Sequence, residues 1–155
     1  MNETDILNTK ILIVDDAEAN LKLLEDLLTR EGFHQIISTT DSTRALDLFI
    51  AFQPDLILLD LMMPELDGYA VLEILSRHIP KDEYLPVLVL TADATIVAKR
   101  KALALGAKDF LTKPFDTIEA MLRVWNLLET RLLYRQLKAL NKEIKPITHS
   151  PHINE

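Results

Sequence analysis

Four largely apolar runs in this 155-residue chain end on residues able to do chemistry. Ile11-Leu12-Ile13-Val14 is followed by Asp15-Asp16, Leu56-Ile57-Leu58-Leu59 by Asp60, Val87-Leu88-Val89-Leu90 by Thr91, and Asp109-Phe110-Leu111 leads on to Lys113-Pro114. Carboxylates can hold a hard divalent cation, and an aspartate can act as a nucleophile and become an acyl phosphate. Taken singly, each residue also has an ordinary reading: Asp15-Asp16 as a cap with favourable charge near a helix start, Lys113 as a surface lysine, Thr91 as a strand residue. Their company, one after each run, favours a site. Asp60 is its centre. The run before it suits a strand buried on both faces of a parallel sheet. Pro64 and Asp67-Gly68 break any regular structure behind it. Its carboxylate therefore stands at a strand-to-loop junction, and in an open parallel sheet that carboxyl edge is where sites are built.

Five strands must position these residues: Lys10 to Val14, Gln35 to Thr39, Leu56 to Asp60, Val87 to Thr91 and Lys108 to Leu111. Residues 1 to 9 carry no periodicity and are expected to be flexible. Leu21, Leu24 and Leu28 recur at helical spacing, with Gly32 placed as a left-handed cap. Asp41 or Ser42 can cap the next helix, where Ala45, Phe49 and Phe52 share a face until Pro54. Tyr69 to Arg77 reads as a helix with Leu72, Leu75 and Ile79 inward. The next has only a thin stripe of Ala98, Ala102 and Leu105, with Lys99, Arg100 and Lys101 outward and Gly106 at its end; so lightly anchored a helix is a candidate for movement. Strands alternating with helices imply an α/β fold with a doubly wound parallel sheet.

From Asp116 a long helical pattern reaches about Lys145. Its first half is expected to bury Ile118, Met121, Trp125 and Leu128, and its second shows Leu133, Leu137, Leu140 and Ile144 in a heptad-like stripe. A helix needed only to cover a sheet could stop near Leu128. Residues 129–145 are therefore expected to project as a coiled-coil-like linker, with a homodimer through the leucine stripe and a disordered tail over 146–155.

Composition narrows the functional classes. The length fits one domain, here 10–128. A net charge of −7, from 17 basic and 24 acidic residues, argues against gripping nucleic acid directly. No cysteine is present, which excludes disulfide and thiolate chemistry. The start lacks the basic and apolar regions of a signal peptide and no run approaches membrane-spanning length, so a cytoplasmic location without membrane attachment is expected.

The paired acids, the Asp60-x-x-Met63-Pro64-x-x-Asp67-Gly68 run, Thr91-Ala92 and Lys113-Pro114-Phe115 together resemble the receiver domain of bacterial two-component response regulators. The resemblance implies a flavodoxin-like sheet of order 2-1-3-4-5, which makes strands 1, 3, 4 and 5 neighbours and gathers Asp15, Asp16, Asp60, Thr91 and Lys113 at one edge. Each close carboxylate pair there costs a few kcal/mol at an effective dielectric of about 20, so a cation is needed. Mg²⁺ is the natural one and Mn²⁺ an alternative. The implied ligands are Asp16, Asp60 and the backbone carbonyl of Met62, with Asp15 acting through a water. Asp60 is then the phosphorylated residue, supplied by a sensor histidine kinase or a phosphotransfer protein, with Lys113 and Thr91 stabilising the phosphate. Thr91 and Phe110 form the implied switch, Lys113-Pro114 is implied to be cis, and the affected surface is the fourth helix, fifth strand and fifth helix of the pattern. Such a domain accepts and sheds a phosphoryl group and is not a turnover enzyme in the usual sense.

The output is less defined. The chain reads as the N-terminal part of a longer regulator or as a stand-alone receiver acting by protein–protein contact. Residues 128–137 resemble the linker helix that precedes cyclic-di-GMP phosphodiesterases of the HD-GYP type. Two other classes fit poorly. A flavin module needs a phosphate-cradling loop after strand 1, where Asp15-Asp16-Ala17-Glu18 would repel phosphate. A haloacid-dehalogenase-like phosphatase carries its nucleophile there in an Asp-x-Asp pattern that this chain lacks.

Overall fold

The computed structural model describes residues 2–148, with side chains up to residue 142. Five parallel strands, β1 (Lys10–Val14), β2 (Gln35–Thr39), β3 (Leu56–Asp60), β4 (Val87–Thr91) and β5 (Asp109–Thr112), pair in the order β2-β1-β3-β4-β5. The helices are α1 (Glu3–Leu7), α2 (Glu18–Glu31), α3 (Ala45–Phe52), α4 (Gly68–His78), α5 (Ile96–Ala104) and α6 (Thr117–Thr148), with a 3-10 turn at Ser42–Arg44 before α3. This is the flavodoxin-like architecture expected of the sequence, including the long last helix. Register places Ile13 beside Leu58, Leu58 beside Leu88, and Leu88 beside Asp109, so the strands end at a common edge.

Side chains alternate along a strand, which divides the apolar runs between two cores. Ile11, Ile13, Leu56, Leu58, Leu88 and Leu90 pack with Leu24 and Leu28 of α2 and with Ala120, Val124 and Leu128 of α6. Leu12, Val14, Ile57, Leu59, Val87 and Val89 pack with α3, α4 and Ala102 of α5. Each fully buried aliphatic side chain contributes about 1.5–3 kcal/mol. The central strands are therefore the rigid part of the frame. By contrast α5 buries only Ala98 and Ala102, which is the thin anchoring foreseen.

Four expectations need correction. Residues 3–7 of the supposedly flexible N-terminus form α1. Asn2 and Asp5 cap it reciprocally, Ile6 is buried, and Leu7 lies against Gly32. The fifth strand lies one residue further along than its apolar pattern suggests. Ile118, expected in the core, is 69 % exposed. The face that α6 buries is Ala120, Val124, Leu127 and Leu128, which recur at helical spacing, with Met121 and Trp125 at its margin. Nor does α6 leave the domain at residue 129: Arg131 is buried and paired with Asp55. The backbone of α6 continues to Thr148, while the tail beyond it and the side chain of Ile144 lie outside the described residues.

Candidate functional site

Each strand delivers its chemistry at the point where its ladder stops. Asp15 follows β1, and its N–H still donates to the Thr39 carbonyl of β2. One of its side-chain oxygens accepts the Ala17 N–H, which turns the chain into α2. Asp60 is the last residue of β3 and is 2 % exposed. Its Oδ1 accepts the Met62 N–H at 3.1 Å, so the loop begins by folding over its own carboxylate. Gly68 makes this fold possible. A Cβ there would overlap the Leu61 backbone and the Asp60 carbonyl, while Asp67 caps α4 by accepting the Tyr69 N–H. The Asp67-Gly68 pair thus starts a helix and lets it press against the end of β3.

Lys113 arrives from β5. Its N–H donates to the Thr91 carbonyl at 2.8 Å, the bond to Pro114 is cis, and Nζ lies 3.0 Å from Asp15 Oδ2 and 3.2 Å from Asp60 Oδ1. Carboxylate oxygens of Asp15, Asp16 and Asp60 lie within 4.8 Å of one another. Asp15 and Asp60 are buried and Asp16 is exposed. One lysine against three acids leaves an excess of negative charge. Burial pushes the Asp60 carboxyl up to about 6; the Asp15 charge and a contact with Asp16 act in the same direction, and the Met62 N–H and Lys113 oppose it. The all-oxygen donor set and this surplus charge suit a hard divalent cation.

Thr91 is buried at the end of β4, and its hydroxyl oxygen accepts the Asp93 N–H at 3.0 Å. Phe110 is half-buried on β5 with the Lys99 ammonium of α5 4.5 Å from its ring centroid. The residues singled out in the sequence therefore meet at one edge, apart from Phe110, which lies two residues back along β5, level with Val89. Two contributors were missed. Gly68 was read as a loop former, and its steric role depends on the approach of α4 to β3. Lys99 was read as merely outward, and its contact with Phe110 has no signal in spacing.

A flavodoxin-like sheet with acids, a lysine and a threonine gathered at one edge is the setting in which the response regulator receiver domain family matches residues 11–124. The chain belongs to that family. It is 38 % identical over 132 residues to the response regulator PleD of Caulobacter vibrioides, covering 85 % of this chain and 29 % of PleD. Among solved structures, NtrX from Brucella abortus superposes with a TM-score of 0.77 at 31 % identity, over 86 % of this chain and 29 % of that one. A Francisella response regulator receiver domain superposes with a TM-score of 0.67 at 33 % identity, over 79 % of this chain and 98 % of that one. The chain thus spans less than a third of PleD and NtrX.

Proposed function

We propose that the chain is a Mg²⁺-dependent phosphoacceptor switch in which Asp60 takes a phosphoryl group from a phosphohistidine on a sensor kinase or phosphotransfer protein. The bond from phosphorus to imidazole nitrogen breaks as the bond to the Asp60 carboxylate forms. The observation that carries this reading is Asp60 itself, a buried carboxylate at a strand end, in contact with Lys113 and flanked by Asp15 and Asp16. Asp16, Asp60 and the Met62 carbonyl would hold Mg²⁺, or Mn²⁺ in its place, with Asp15 acting through a water. When bound, the cation neutralises the acids and the charge of the transferring group.

The protein's own residues do the rest. A phosphoryl group adds about two negative charges, which draw Lys113 from the carboxylates to a phosphate oxygen and the Thr91 hydroxyl away from the Asp93 N–H. Movement of Thr91 opens space beside β5 for Phe110 to turn inward. The surface altered is α5, β5 and α6, whose outer faces carry exposed Ile96, Val97 and Leu103 on α5 and Ile118 and Leu122 on α6. Output then runs along α6 to a second copy through Leu133, Leu137, Leu140 and Ile144. Where the chain is continued, α6 leads into an output domain, for which the linker resemblance suggests a cyclic-di-GMP phosphodiesterase; a stand-alone receiver is the alternative.

Acetyl phosphate with Mg²⁺ should add one phosphoryl group to the intact protein, measured by mass, and none to Asp60→Asn. Equal uptake by Asp60→Asn would remove Asp60 from the role.

A further inference from the structure

The edge of the sheet opposite Asp60 holds a second cluster of charges that phosphoryl acceptance does not use. Asp55, just before β3, is 8 % exposed. Its Oδ2 accepts the Lys10 N–H at 2.9 Å and its own N–H donates to the Lys10 carbonyl at 2.7 Å, joining the starts of β1 and β3. Its Oδ1 accepts from Nε of Arg131 at 2.8 Å, and Arg131, 7 % exposed, also donates to the Tyr84 carbonyl ahead of β4. One turn on, Arg135 reaches Asp55 at 3.4 Å. A further turn on, Lys138 lies 3.0 Å from Asp82 and 2.6 Å from Glu83. Tyr134 meets Tyr84 with ring centroids 6.2 Å apart.

These cations recur at helical spacing along one face of α6. Leu133, Leu137 and Leu140 follow the same rhythm two residues later, about 200° round the helix, and are 50 %, 60 % and 53 % exposed. Exposed ion pairs are individually weak. A buried one behaves differently, because removing a partner strands a charge inside the protein. Arg131 therefore fixes where α6 sits along the sheet, and Arg135 and Lys138 fix its rotation.

We propose that Arg131, Arg135 and Lys138 form a clasp that holds α6 on its own domain and turns the leucine stripe outward as an uncharged seam for the same helix of a second copy. The proposal rests on the reading of α6 as the output helix. A second copy is the fitting occupant because Leu133, Leu137 and Leu140 are apolar and exposed and the cations on this stretch are turned to their own domain's acids, which leaves Glu129, one turn before Leu133, as the charge beside the stripe among the described side chains. A charged partner would find little to pair with beyond that one carboxylate, whereas two identical apolar stripes complement each other in an isologous contact.

The chain has no cysteine, so Ala51→Cys and Asn141→Cys, both at exposed positions, accept spin labels that report the distance from domain body to helix. In spin-diluted protein the distribution should be narrow. Arg135→Glu with Lys138→Glu should broaden it and weaken self-association by about tenfold or more, with phosphoryl uptake unchanged. Adding Asp82→Lys to Lys138→Glu should narrow it again relative to Lys138→Glu alone. An unbroadened distribution in the double variant would overturn the clasp, and broadening without loss of self-association would overturn its role in presenting the seam. Leu137→Glu with Leu140→Glu should abolish association while the distribution stays narrow. If the unaltered chain never associates, the output reading fails, whereas the clasp is still judged by the distances.

Discussion

Asp60 is a carboxylate held in a place that resists its ionisation. Its ordinary value of 3.8 is raised to about 6 by burial, so without metal the native state binds this proton more tightly than the unfolded chain. The contribution of Asp60 to the stability of the metal-free protein should therefore be full below about pH 4, be lost as the pH rises from 4 to 6, and stay absent above. Urea titrations in the presence of a chelator should show it as a difference between the unaltered protein and Asp60→Asn that changes over that range; a difference independent of pH would rule it out. The same proton competes with a cation, so thermal stabilisation by Mg²⁺ should be full above pH 6 and shrink below it. Asp16→Asn should remove most of that stabilisation at neutral pH, and an unchanged melting response would rule out Asp16 as a ligand. The acids and the lysine were legible because each closes an apolar run. The hydroxyl of Thr91 accepting the Asp93 N–H was not, since a strand pattern says nothing about where a side chain finds its partner.

Elements differed in legibility for physical reasons. The central strands announce themselves because burial on two faces demands uninterrupted apolar runs. Helix α1 has five residues, too few for periodicity to register, and rests on a single well-buried side chain. Ile6→Ala should cost about 2 kcal/mol or more in chemical denaturation, and a loss below a few tenths would mean that α1 contributes nothing. Ile118 is as apolar as the buried residues but lies off their face, since the buried side of α6 follows Ala120, Val124, Leu127 and Leu128 at helical spacing. Gly68→Ala should destabilise by about 1–3 kcal/mol through overpacking against β3. It should also slow phosphoryl uptake from acetyl phosphate, because the loop over Asp60 must shift; unchanged uptake would separate the contact of α4 from the site.

At the scale of the molecule, the sequence could place a domain and a long helix but not how they are joined, because Asp55 and Arg131 are 76 residues apart and neither stands in a recognisable pattern. Arg131, Arg135 and Lys138, within the stretch expected to project as a free linker, are the residues that hold it. Among the described residues no helix is long and apolar enough to cross a membrane. Coupling between the two edges of the sheet can be tested: phosphodonor should raise the dimer fraction in sedimentation, and Lys113→Ala should keep its response to Mg²⁺ yet lose that rise. A rise of equal size in Lys113→Ala would take the lysine out of signal transmission. The position of Arg131 also decides what kind of machine α6 can be. From Thr117 to Arg131 is about 21 Å of helix and from Arg131 to Thr148 about 26 Å, at roughly 1.5 Å per residue. A stiff rod packed on the sheet through Ala120, Val124, Leu127 and Leu128 and held again at Arg131, Arg135 and Lys138 has no single pivot, so a shift at the end beside the acids would have to carry the whole helix and reach the other end in the same sense and hardly magnified.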